Sequence, residues 1–117
     1  MLIKGQTGSK CTLGEYNLYN YIKDMTQQNG GVTINDKREV PTEGYMVGVK
    51  AFDTLEEMIE YKLQDNEYYG AWLNILDNEI YYDISLNVMT LEEAEELGRQ
   101  LNQIAIYNVV GNDCIFI

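Results

Sequence analysis

The side chains best placed to do chemistry in this sequence are carboxylates. Nineteen acids stand against eight bases, a net charge of −11 at neutral pH. The imbalance is local: residues 1–50 carry five acids and six bases, whereas residues 51–117 carry fourteen acids and two bases, Lys62 and Arg99. Two groups stand out, Asp53, Glu56, Glu57 and Glu60, then Glu92, Glu93, Glu95 and Glu96. Glu56–Glu60 and Glu92–Glu96 are like-charge pairs at i, i+4, each costing a helix a few tenths of a kcal/mol, and only Glu95 meets a base one turn on, Arg99. Carboxylates arrayed at about 5–6 Å on a helix face are spaced much like the charges along a nucleic-acid backbone. A surface of this kind repels nucleic acid and acidic membranes and attracts basic protein surfaces. The plainer account of the same residues is an acidic face that keeps the chain soluble.

Catalysis has less support. The chain has no histidine, so the usual general base, metal ligand and triad partner is missing. Neither a GxxxxGK[ST] loop nor a strand-linked GxGxxG is present. Asp83 sits on an apparent strand between Tyr82 and Ile84; a pair of such carboxylates can do acid–base work or hold a divalent cation, but acids on capped helix faces are ordinarily solvated. Cys11 and Cys114 are far apart in sequence and have no histidine partners, which reads as two reduced thiols of a cytoplasmic protein. No catalytic residue, metal or cofactor is expected. No apolar run approaches the roughly 20 residues of a membrane span, and the opening MLIKGQTGSK lacks the apolar centre of a secretion signal.

The ten tyrosines are the other conspicuous feature. Tyr16, Tyr19, Tyr21, Tyr68, Tyr69, Tyr81, Tyr82 and Tyr107 all fall on expected helices or strands. Adjacent tyrosines on a strand send one ring to each face. One fills the core, and the other can offer a partner a large contact area at low entropy cost. Tyr68, Trp72, Tyr81 and Asp83 share a face that is outermost if helices cover the opposite one.

The elements that carry these residues follow from periodicity and punctuation. Leu18, Ile22 and Met25 recur at helical spacing and Asn29-Gly30-Gly31 stops the run, giving a helix over about 15–28. VTIN is a short strand, and Leu2–Ile3 another candidate. In GYMVGVKAF, Tyr45, Val47 and Val49 alternate with Met46, Gly48 and Lys50. Asp53 with Glu56, or Thr54 with Glu57, opens a second helix over about 54–64, with Leu55, Met58, Ile59 and Leu63 as its apolar stripe. Tyr69, Ala71, Leu73 and Ile75 alternate along the next strand. Ile80, Tyr82, Ile84, Leu86 and Val88 do so along its partner, and the link at Asp77–Glu79 makes the two a hairpin. Thr90 with Glu93 caps a third helix whose Leu91, Ala94, Leu97, Gly98 and Leu101 face inward; Gly98 implies a close helix–sheet approach, since glycine costs a helix roughly 1 kcal/mol against alanine. IAIYNVV and CIFI close the chain as a last hairpin. The order αββαββαββ predicts a single α+β domain over 1–117, two-layered, with a mainly antiparallel sheet of five or six strands and three helices. Residues 1–14 would be flexible or a short strand.

The segment from Val32 onward resembles small proteins carried by bacteriophages, plasmids and other mobile elements. The resemblance rests on Gly-x-Trp at Gly70–Trp72, on aromatic-Asp-x-Ser at Tyr82–Ser85, and on Glu93-Ala94 in the following helix. Gln103–Tyr107 and the upstream Pro41–Val49 fit the same pattern. These motifs are structural and imply a fold and a genomic setting. Many small acidic proteins of such elements inhibit host defence, by mimicking DNA or by blocking a CRISPR or restriction nuclease. The resemblance therefore implies a phage or mobile-element inhibitor (anti-CRISPR or anti-restriction in type) that binds a basic nucleic-acid-binding protein or nuclease complex, contacting neither nucleic acid nor membrane directly. Asp53, Glu56, Glu57, Glu60, Glu92, Glu93 and Glu96 would form its acidic surface, with Tyr68 and Tyr81 as anchors. An accessory interaction or structural protein of a mobile element, without inhibitory activity, is the other reading.

Overall fold

A computed structural model describes residues 13–117; the candidate strand at Leu2–Ile3 and Cys11 lie outside them. The chain runs α1 (Leu13–Asn29), β1 (Gly31–Ile34), β2 (Tyr45–Phe52), α2 (Leu55–Glu60), β3 (Glu67–Asn74), β4 (Glu79–Val88), α3 (Leu91–Gln100), β5 (Ala105–Asn108) and β6 (Asp113–Phe116). The expected αββαββαββ order and α+β class are both present. The six strands form one antiparallel sheet in the order β1-β3-β4-β2-β5-β6. No helix among the described residues is long and apolar enough to cross a membrane.

Local chemistry sets most boundaries. α1 ends where Gly30, at φ +81°, donates its N–H to the Thr26 carbonyl at 2.9 Å, a left-handed stop that glycine adopts without strain. Both later helices open on a threonine N-cap with a glutamate three residues on, the residue pattern of a capping box. Thr54 Oγ1 accepts from Glu57 N at 3.2 Å and donates to the Glu57 carboxylate at 3.3 Å; Thr90 does the same with Glu93 at 3.2 and 2.8 Å.

Three local expectations are corrected. α2 stops at Glu60, so Leu63 is not part of a helical stripe. The chain turns extended at Tyr61 because groups from β3 capture it: the Tyr69 hydroxyl donates to Tyr61 O at 2.8 Å, and the Glu67 carboxylate accepts from the Tyr61 hydroxyl and from Gln64 N. β3 ends at Asn74, whose side chain accepts from Leu76 N at 3.0 Å to begin the turn, leaving Ile75 86% exposed and outside the core. In β2 a bulge between Gly48 and Lys50 resets the alternation. Lys50 thereby sits opposite Ile84 instead of sharing a face with Gly48, and its ammonium lies 5.4 Å from the Phe52 ring.

The core forms on one parity of the sheet. Ile34, Tyr69, Ala71 and Ile84 pack with Leu18 and Ile22 of α1 and with Leu55, Met58 and Ile59 of α2. Val47 and Ile106 pack with Ala94 of α3. Ala94 and Gly98 are the buried residues of α3, Leu97 is half-buried, and Leu91 and Leu101 at its ends are more exposed than their helical spacing implied. Gly98 does mark a close approach: a Cβ there would overlap Ile117 Cδ1 and lie 3.2 Å from Ile106 Cγ2.

The other parity of the sheet is concave. Residues from both edge strands, Gly31 and Thr33 on β1 and Cys114 on β6, line one groove of about 550 Å³. Five strand spacings would hold those edges roughly 24 Å apart in a flat sheet, so a shared groove requires the sheet to curl.

Candidate functional site

The nine candidate residues fall into two groups that do not share a surface. The first is acidic. Asp53, Glu56, Glu57 and Glu60 are exposed around α2, whose Leu55, Met58 and Ile59 are buried. Glu92, Glu93 and Glu96 are exposed on α3. Because α2 and α3 pack on strand residues of the same parity, both acidic faces belong to the helix-covered side of the sheet. Among the described residues the single ion pair is Glu95–Arg99 at 4.0 Å, so none of the seven is matched by a base. Four of them have a local role as well. Glu57 and Glu93 accept from the N-cap threonines, and with Glu56 and Glu92 they occupy first turns, where the helix dipole favours negative charge.

The second group lies on the concave side. Tyr68 pairs across the sheet with Ser85, Gly70 with Asp83 and Trp72 with Tyr81. This confirms the shared face of Tyr68, Trp72, Tyr81 and Asp83. The Trp72 and Tyr81 rings stack at 4.9 Å between centroids, 20° from parallel. The Tyr81 hydroxyl donates to the Asp77 carboxylate. That hydrogen bond is the main reason the Tyr81 hydroxyl titrates above its ordinary range and the Asp77 carboxyl below it.

Between these rings and the far edge lies the groove itself. Asp83 stands at the floor of the groove, its carboxylate against the bare Cα of Gly70: a Cβ on Gly70 would overlap Asp83 Oδ1. Gly31 and Gly48 leave the floor open on either side. No described residue donates a hydrogen bond to the Asp83 carboxylate or pairs with its charge. Since no fully buried polar side-chain atom among the described residues lacks a partner, its oxygens keep some contact with the groove. Burial raises the Asp83 carboxyl to about 6. The available signal was parity, with Gly70 and Asp83 both on the non-core face; the burial comes from the curl, which a linear pattern does not carry.

The groove has no second acid, and no group of three or more metal-binding side chains occurs among the described residues. Cys114 is a free, exposed thiol on the groove side. The fold and these two surfaces define a small α+β domain with an acidic helical side and an aromatic-flanked concave side. Compared with protein-family profiles, with curated proteins and with solved structures, the chain finds no match.

Proposed function

We propose that the protein is a stoichiometric binding protein of a mobile element that inhibits a host nucleic-acid-targeting defence complex. In this reading the acidic faces of α2 and α3 occupy the basic channel in which that complex holds nucleic acid. The observation that supports it is the seven exposed carboxylates, Asp53 just before α2 and six more on α2 and α3, without a single basic partner among the described residues. A domain selected for stability alone gains by alternating such acids with bases. An array left unmatched is matched instead by a basic partner, which it steers into contact over distances of about a Debye length. The contact is one of binding, so no catalytic group is required.

The second reading, an accessory protein whose acids serve solubility and helix starts, is favoured by the capping and first-turn positions of Glu56, Glu57, Glu92 and Glu93. One variant separates the two: Glu56, Glu57, Glu60, Glu92, Glu93 and Glu96 all changed to glutamine. Its effect is read as displacement of duplex DNA from CRISPR effector and restriction complexes in a gel-shift assay. Wild type should displace DNA at near-equimolar amounts, more weakly as salt rises, and the variant should not. Equal displacement by both proteins, or displacement indifferent to salt, would refute the acidic-surface reading. The absence of displacement by wild type would favour the accessory role.

A further inference from the structure

The groove on the concave face is lined by one carboxylate, Asp83, and by neither lysine nor arginine. Its remaining polar side chains, Thr33, Ser85, Gln103 and Tyr107, are neutral hydrogen-bonding groups. Asp83 has given up most of its water without gaining a donor. A carboxylate so placed gains most from a ligand that brings both N–H groups and positive charge. Trp72, 44% exposed, lines the groove with Tyr81 stacked upon it, and Phe116, 78% exposed on β6, has the same parity as Cys114. An exposed stacked pair at the edge of a groove exceeds the scattered apolar residues of an ordinary surface, and Trp and Tyr beside a pocket are what protein partners bury.

We infer that this face docks a loop of a protein partner that inserts an arginine, its guanidinium paired with the Asp83 carboxylate and lying against the Trp72 indole. Arginine fits better than lysine because its planar fork meets both carboxylate oxygens and stacks on an aromatic face. A groove of about 550 Å³ also leaves space for the residues flanking the arginine. The inference shares with the proposed function a partner of basic character. It uses different residues, on the opposite side of the sheet from the acidic helices, so each can fail without the other.

The test is a titration followed by heteronuclear NMR on the full chain at pH 7.5. The probes are an acetylated Gly-Arg-Gly amide, the same peptide with citrulline (isosteric and uncharged), the same with lysine, and agmatine as a free small cation. The arginine peptide should produce saturable shifts at the Trp72 indole N–H and at the Gly70 and Asp83 amides. Affinity should fall about tenfold or more for the citrulline peptide and for Asp83→Asn, and less for lysine. The six-residue glutamine variant should bind the arginine peptide as wild type does. No saturable shift at those three groups, an equal response to citrulline, or undiminished binding by Asp83→Asn would overturn the inference. So would agmatine binding as tightly as the peptide, because the groove would then be a site for a free amine. Loss of binding in the glutamine variant would overturn it too, placing the contact on the helices.

Discussion

Replacing Asp83 by asparagine should stabilise the protein, by an amount that grows with pH. Asparagine keeps the shape of the side chain and removes the charge. In the folded chain burial raises the Asp83 carboxyl to about 6; in the unfolded chain it returns to roughly 3.9. The folded state therefore holds its proton more tightly and binds more protons than the unfolded state between those values. Stability falls as pH rises through that window, and the penalty is complete above it. Two pKa units correspond to about 3 kcal/mol at neutral pH, an upper bound because the carboxylate keeps some solvent contact in the groove, so about 1–3 kcal/mol is expected. For a domain of this size that is a rise in Tm of roughly 4–12 °C. The assay is thermal and urea unfolding of both proteins from pH 4.5 to pH 8. The difference between the two curves isolates Asp83. The Asp77 carboxyl, held low by Tyr81, contributes stability that is lost as pH falls, but it does so in both proteins and cancels. The difference should be about a third of its full value at pH 4.5, because the unfolded carboxyl is already mostly ionised there, and should level off above pH 7. Equal stability at pH 7.5, or a difference independent of pH, would show that Asp83 is not desolvated in the way its position implies.

Further consequences concern the helices. Gly98→Leu should cost about 1–3 kcal/mol by overpacking against Ile106 and Ile117, read as a lower urea midpoint; an unchanged midpoint would mean α3 does not approach the sheet closely. Thr90→Ala should cost about 1 kcal/mol through loss of the α3 cap, with the effect on helix content visible by circular dichroism. The six-residue glutamine variant should change stability by no more than about 1 kcal/mol. Relief of the Glu56–Glu60 and Glu92–Glu96 repulsions offsets the lost dipole interactions at the first turns, and glutamine can still close a capping box. A large loss in unfolding experiments would mean that the acids are mainly structural.

What could be read in advance was whatever is encoded locally. The capping-box patterns at Thr54 and Thr90, the Asn29–Gly31 stop and the alternation through Tyr69–Leu73 and Ile80–Val88 are each contained in a few residues, and together they specified the order of elements. What could not be read was set by distant groups. α2 is shortened by side chains of Tyr69 and Glu67 on the following strand, and Lys50 changes face because β2 bulges against β4. The acidic faces were legible because exposure on a helix follows from its apolar stripe. The groove was legible only as a parity. Its depth depends on curvature, and its floor on glycines of three strands, Gly31, Gly48 and Gly70, that meet only once the sheet is assembled.

The attachment of the last hairpin bears on how the groove behaves in time. β5 joins β2 through two residue pairs, Tyr45–Asn108 and Met46–Tyr107, whereas β3 and β4 are paired over eight positions. One further main-chain bond, from Val109 N to Gly44 O, and the packing of Ile106, Ile115 and Ile117 with Ala94 of α3 complete the join. Free energies of partial opening in a folded protein range from near zero up to that of complete unfolding, with weakly joined units at the low end. The β5–β6 hairpin has the shortest ladder joining it to the rest of the sheet, and it carries Tyr107 and Cys114, one wall of the groove. Ile106 and Ile115 of that hairpin, with the adjoining Ile117, pack with Ala94 and Leu97 of α3, so it is side-chain packing on the helix side, more than strand pairing, that holds this wall of the groove in place.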